Sequence, residues 1–561
     1  MKSIKIFILF VFLLSSCNED EILREVPLDF ASPENAFITK ADFNIAINGL
    51  YSQAREILSE SGRSLDHHYG TDLGLNNTAS MGTRFATYNL LVSNAGEVQW
   101  HWSKYYKLIY STNIIINRLN DAELTDEERV KVEATAKFFR GLAYKNLAHL
   151  YGGVPIELEE VNAPKTDYTR ASREEVYQQA ISDLQFAAEN LDSINNAADW
   201  QVSNLAAYHL LAELYNTTQK WDDAISAASF VINDPNTSLM NQRFGTRSTE
   251  PGDVYWDLFR RGNQNRSAGN TEAIMVWQYE VDILGGAQVS SGRTGPILER
   301  SWGPFIGVLP IEDPNGVSPF LFPVSDFTGG RGIATCRGTN HFIYSIWDDG
   351  DIRNSPYNFV RDVTFNNPES IWFGDSLVKS LNYSWVRGIA DSTRWWTPYP
   401  TKVTTPGNHP EGLFVNRDLN LLSNSAGTTY TDQYFIRLAE TYLLRAEAYL
   451  GKNDLENAAN DINVVRSRSN APEIDAAEVN IDYILDERLR ELGPEEPRRL
   501  TLQRLGLLYD RVTRYGNVTY NANMNFGYDI QPFHELWPIP FSEIERNTDA
   551  VLEQNPDYSA Q

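Results

Sequence analysis

The sequence predicts a mainly α-helical protein in which tetratricopeptide-like helix pairs form a scaffold carrying a long, loop-rich, aromatic-rich insertion. Three observations predict it. Two distant stretches, LLAELYNTTQKWDDAISAA and LRAEAYLGKNDLENAANDI, repeat one pattern. Several other segments place apolar residues at helical spacing. Between the repeats, over residues 233–430, that spacing gives way to Gly, Pro, Asn and Ser every few residues.

In the repeat, Ala212-Glu213-Leu214-Tyr215 aligns with Ala446-Glu447-Ala448-Tyr449, 234 residues further on. A polar turn follows in each (TTQK, GKND), then Trp221 or Leu455, then Ala224 or Ala458. Small alanines let antiparallel helices approach, and the tryptophan or leucine fills the gap between them. Acids open the second helix, where its dipole favours negative charge. Such a helix pair repeats about every 34 residues. Two matches this far apart therefore predict a helical scaffold interrupted by something else.

Residues 44–60 and 100–119 also read as helices. In VKVEATAKFFRGLAYKNLAHLYGGVPI, Phe138, Leu142, Leu147 and Leu150 keep near-helical spacing, and Gly152-Gly153 followed by Pro155 stops the helix. Ser172 with Glu175 three residues on is a capping box. In the insertion, eight of the 13 tryptophans gather: Trp256, Trp277, Trp302, Trp347, Trp372, Trp385, Trp395 and Trp396.

The N-terminus has a different grammar. Lys2 and Lys5 precede an unbroken apolar run at residues 6–14, far short of the about 20 residues a membrane-spanning helix needs. These are the proportions of a secretory signal peptide. Leu14-Ser15-Ser16-Cys17 resembles a bacterial lipoprotein box, so residues 1–16 are expected to be removed and Cys17 to carry lipid. With two cysteines in all, Cys336 then stands alone and no internal disulfide is expected.

The 561 residues carry 74 acids against 48 bases, a formal charge of −26. Such a surface repels polyanions, so nucleic acid is not an expected partner. Catalytic signatures are absent: there is no Gly-x-Ser-x-Gly elbow, no phosphate loop and no HExxH. Gly329-Gly330-Arg331-Gly332 lacks dinucleotide-fingerprint spacing, and His67-His68 lacks a companion ligand at metal-site spacing. No catalytic residue, metal or cofactor is expected.

Five features in a fixed order are similar to SusD/RagB proteins. They are the box at Cys17, FFRGLAYKNLAHLYGGVPI, YFIRLAETYLLRAEAYLGKNDLENAANDINVVRSRS, ILDERLRELGPEEPRRLTLQRLG and ELWPIPFSEIERNTDAVLEQNPDY. The resemblance implies an outward-facing, lipid-anchored protein of the outer membrane, built as a helical region (18–232), an irregular ligand-binding insertion (233–430) and a C-terminal helix pair and closing segment (431–561). It also implies a SusC-like TonB-dependent transporter as partner, over which the protein sits as a lid. The acids Glu19, Asp20 and Glu21 resemble the signal that sends such lipoproteins to the surface.

The resemblance favours binding without catalysis, with an oligosaccharide as ligand. The alternatives are an oligopeptide, as in RagB-like members, or a role as a non-catalytic surface scaffold. Sugars present flat apolar faces rimmed by hydroxyls, which aromatic platforms and Asp, Asn or Arg side chains grip. In this family such contacts differ between members, so the expected contacts follow from loop context. They are Arg394, Trp395 and Trp396 in DSTRWWTPYP, Trp302 in SWGPF, Cys336, Arg337 and Asn340 in TCRGTNHF, and Asp72 and Tyr88 from the helical half. Trp256, Trp277, Trp347 and Trp372 read as core, and the Arg/Glu alternation in ERLRELGPEEPRRLTLQRL reads as ion pairs that fix one helix against its neighbours.

Overall fold

The computed structural model describes residues 36–559 apart from 61, 78–84, 86, 293, 323, 381–393, 517–518, 522–523 and 526–528. The leader, Cys17 and the acids behind it lie outside the described residues, as does Trp385. Among the described residues no helix is long and apolar enough to cross a membrane.

Among the described residues up to Ile232, six α-helices run in order: α1 (Lys40–Arg55), α2 (Gly96–Arg118), α3 (Asp126–Tyr151), α4 (Arg173–Asn190), α5 (Asn204–Thr217) and α6 (Trp221–Ile232). Each packs on the next within the runs α1–α4 and α4–α6. Local sequence starts and stops them. Thr39, Thr125 and the expected Ser172 close capping boxes with Asp42, Glu128 and Glu175. Gly152 ends α3 at φ 75°, in the left-handed region that a Cβ disfavours.

The array stops at Ile232 and resumes with α7 (Leu438–Gly451), α8 (Leu455–Arg468), α9 (Ile481–Glu491) and α10 (Arg498–Leu505). Helix α7 packs directly on α6, so the two sequence repeats stand side by side in space. Trp221 of the first lies against Gly451 of the second, where a Cβ would come within 2.6 Å of the indole. The turns are copies of each other. Lys220 N–H donates to the Tyr215 carbonyl at 2.8 Å, and Asp454 N–H to the Tyr449 carbonyl at 2.9 Å. Gln219 and Asn453 occupy the left-handed position at φ 57° and 61°, completing a Schellman turn in each repeat.

The repeat glutamates also converge. Both oxygens of Glu447 accept from Arg504 of α10 at 2.6 Å, and Glu213 lies 3.8 Å from the same guanidinium while pairing with Lys145 at 2.7 Å. One buried arginine thus ties together two glutamates 234 residues apart.

The insertion is closed at its root by an antiparallel ladder, β2 (Ala273–Trp277) against β4 (Gln433–Arg437), with Ala273 opposite Arg437. A second ladder joins the halves: β1 (Gly74–Asn76), from the helical side, pairs with β3 (Cys336–Gly338) of the insertion. Small apolar clusters fill the insertion, one around Phe320, Phe365, Trp372 and Trp396 and another around Tyr255, Phe259 and Tyr434. Trp256, Trp277 and Trp372 are buried as expected, and Trp347 is partly buried.

Gln219→Gly removes the Cβ from a left-handed position and is expected to raise unfolding stability by about 1 kcal/mol, read by urea denaturation. Arg504→Met strands the buried Glu447, while Glu213 keeps Lys145, and is expected to cost about 3–5 kcal/mol. A loss below 1 kcal/mol for Arg504→Met would mean that the arginine is not what joins the repeats.

Candidate functional site

An accessible aromatic ledge lies on the insertion, close in sequence to the strand that pairs with the helical half. Phe305 and Trp395 stack with ring centroids 5.9 Å apart and planes 17° from parallel, both partly exposed. Their backbones are tied: Phe305 N–H donates to the Arg394 carbonyl at 2.8 Å, and Arg394 Nε donates to the Ile333 carbonyl at 2.9 Å. The Arg394 guanidinium lies 5.7 Å from the Phe305 ring centroid and keeps partial exposure. Ile333 and Ala334 are in turn bonded to the carbonyls of Arg300 and Gly303. On the helical side, Asn77 N–H reaches the Thr335 carbonyl at 2.8 Å. Four stretches of chain thus hold one aromatic face and one cationic fork at fixed positions.

The support behind the ledge is ionic. The short helix Leu298–Trp302 brings Glu299 to His409, whose Nε2 lies 2.8 Å from Glu299 and whose Nδ1 lies 2.6 Å from Asp326. Burial disfavours a charged imidazole, but the two carboxylates outweigh it and raise the His409 pKa to about 9. Thr404 and the Arg331 N–H complete the hydrogen bonds to Glu299.

Most residues named from loop context do other work. Asp72 is fully buried, its carboxylate clamped by Arg498 at 2.8 and 2.7 Å and by Arg511 at 2.7 Å; these partners overcome the burial cost and hold its pKa well below the usual carboxylate range. Tyr88 is buried, donating to the Gly70 carbonyl with Arg499 alongside. Trp302 is 1 % exposed, packed on His68 and Phe342, and Trp396 is 1 % exposed within an insertion core. Cys336 sits in β3 with its thiol pushed up by burial. Arg337 is buried and spends its guanidinium on the Gly338 carbonyl and on Asn340. These six side chains are corrected from ligand contacts to frame.

Arg394, Trp395 and Asn340 remain accessible, the first two partly buried and Asn340 exposed while accepting from Arg337. Phe305 was missed, although it closes the stretch SWGPF: its tryptophan faces the core and its phenylalanine the surface. His67 and His68 are both buried and point apart, toward His101 and toward Trp302. Among the described residues no three His, Cys, Asp or Glu side chains converge as a metal site.

The Arg/Glu alternation is the frame it was read to be. Arg353 pairs with Asp351, Glu487 and Glu491; Arg437 joins Glu272, Glu491 and Glu495; Arg488 bridges Glu440 and Glu496. Burial would raise the Glu487 pKa, but Arg353, Arg490 and Arg466 lower it to about 2.

A family model described as the SusD family matches residues 348–558, and one described as starch-binding, associating with the outer membrane, matches residues 28–215. The chain belongs to the SusD/RagB family. A SusD-like protein of Formosa agariphila is 26 % identical over 96 % of both chains. Among solved structures, a SusD homologue from Bacteroides thetaiotaomicron superposes with a TM-score of 0.69 at 20 % identity, covering 94 % of this chain and 98 % of that one. Surface glycan-binding protein A of the same organism, in complex with laminarihexaose, superposes with a TM-score of 0.64 at 18 % identity, over 92 % of this chain and 99 % of that one. These likenesses establish the SusD fold.

His409 carries a testable pH signature. Its folded pKa of about 9 lies above the ordinary 6.5, so its contribution is complete below pH 6.5 and is lost as pH rises through 9. Wild type is expected to exceed His409→Gln by about 3 kcal/mol at pH 6, with the gap shrinking by pH 9.5 in urea denaturation. An equal gap at both pH values refutes the clamp.

Proposed function

We propose that this protein is a non-catalytic, cell-surface lipoprotein of the outer membrane that captures oligosaccharides. Anchored through lipid on Cys17, it delivers them as a lid subunit to a SusC-like TonB-dependent transporter. The helical half serves as scaffold and the insertion as the ligand-binding half. The observation that carries the reading is the rigid Phe305–Trp395 face beside the Arg394 fork. A flat aromatic surface accepts the apolar face of a pyranose, and a planar guanidinium donates to neighbouring hydroxyls. Family membership supports it, together with the starch-binding description of the N-terminal match and the laminarihexaose held by a structural relative.

Calorimetric titration of the purified protein with malto- and laminari-oligosaccharides tests the reading. One glycan class is expected to bind, and Trp395→Ala to weaken it at least tenfold, about 1.4 kcal/mol, with melting temperature retained. Binding unchanged in both Trp395→Ala and Arg394→Ala moves the site elsewhere. Heat with mixed oligopeptides and none with any glycan overturns the ligand class.

A further inference from the structure

A cavity of about 360 Å³ opens on the helical half between α2, the connection at residues 155–168 and the C-terminal segment. Helix α2 contributes Trp102, Tyr106 and Tyr110, which recur at helical spacing on one face. Trp102 and Tyr106 lie 4.9 Å apart, ring to ring, and Tyr110 is 44 % exposed. Tyr168 and Glu157 line the connection side, and Glu543 lines the cavity from the C-terminal segment. Burial and both of these carboxylates raise the pKa of Tyr106 and of Tyr168, so the two acids act on the same space.

The lining is short of free donors. The Asn113 amide nitrogen is spent on the carbonyls of Glu157 and Glu159, and its oxygen accepts from Arg140. The Tyr106 hydroxyl donates to the Pro155 carbonyl at 2.7 Å, and Ser103 donates to Gln99. Carboxylate oxygens and aromatic faces remain: among the described residues Glu543 Oε1 has only an exposed ion pair to Arg546 at 3.7 Å and the Ser542 hydroxyl at 3.4 Å, and the hydroxyls of Tyr110 and Tyr168 stand at the edge. A neutral sugar needs donors and acceptors in its site, whereas an ammonium group offers donors alone and is attracted to aromatic faces. The protein already shows this pairing at the rim. Lys165 Nζ sits 2.7 Å from Glu157 and 4.7 Å from the centroid of the Tyr168 ring.

We propose that this cavity is a binding site for a ring-sized organic cation, the chemistry of a sugar carrying a free, protonated amine. The aromatic walls take the ring, Glu543 takes the ammonium, and Lys165 competes for Glu157 from the rim. The site is separate from the Phe305–Trp395 ledge and does not depend on the function assigned to it.

The test compares glucosamine with N-acetylglucosamine, which has the same ring without the charge, and with n-butylamine, which has the charge without the ring. Saturation-transfer NMR and calorimetry on the purified protein read the binding. Glucosamine is expected to bind at least tenfold more tightly than either control. Glu543→Gln is expected to lower that affinity at least fivefold, and Lys165→Met to raise it severalfold by freeing Glu157. Trp395→Ala is expected to leave it unchanged, and thermal melting checks that each variant is folded. Equal binding of N-acetylglucosamine refutes the cation site, and equal binding of n-butylamine refutes the ring. Silence from glucosamine up to 50 mM, in both wild type and Lys165→Met, refutes the site altogether.

Discussion

The fold depends on a lattice of buried arginines and carboxylates threaded through its centre. Removing one member of such a pair costs about 3–5 kcal/mol, whereas a matched apolar replacement of the whole set is often neutral. The lattice therefore does more for register than for net stability. Each arginine demands acids at fixed positions, and those acids come from distant parts of the chain. Glu491 of α9 meets Arg353 from the insertion, Arg437 at the insertion's root and Arg468 from α8. A slipped packing of any of these elements would leave a buried charge without its partner.

The same lattice decides which polar residues are available to a ligand. Asp72 lies in a polar, aromatic-bearing loop, where a carboxylate would suit sugar hydroxyls. Arg498 and Arg511, more than 400 residues away in sequence, take all of it. Arg337 is likewise absorbed by its own turn. What the interior leaves over at the ledge is small: a stacked aromatic pair, a partly exposed guanidinium, and an exposed asparagine. The selectivity of a surface built this way comes from a few groups held still by a large frame.

The scaffold was legible in the sequence because its determinants are local. The alanine, tyrosine and turn spacing of the repeat reappears as two Schellman turns with matching hydrogen bonds, and Ser172 caps α4 as its spacing to Glu175 requires. The ledge was legible only in part, because burial is set by contacts that sequence does not display. Trp395 and Trp396 are adjacent and chemically identical. One stacks on Phe305 and the other is driven into an apolar core with Phe320 and Phe365. The backbone bends at Arg394 and Trp395 before the strand at Tyr399, and the two neighbouring indoles part there; the stretch itself does not say which of them goes to the core. Phe305 went unnamed because the tryptophan three residues before it looked like the better platform.

The separation of the two repeats by the insertion also bears on how the chain finds its structure. Helix α6 presents to α7 a face that stays bare until residues 438–451 exist. Entropy scarcely penalises the detour, since doubling a loop costs only about 0.6 kcal/mol. Time is the greater burden: at about 5–20 residues per second, synthesis of the intervening segment leaves that face uncovered for tens of seconds. An arrangement nearly free at equilibrium is thus exposed during assembly. Lengthening or recasting the insertion would leave the finished scaffold almost untouched while prolonging the interval in which α6 is open to the wrong neighbour.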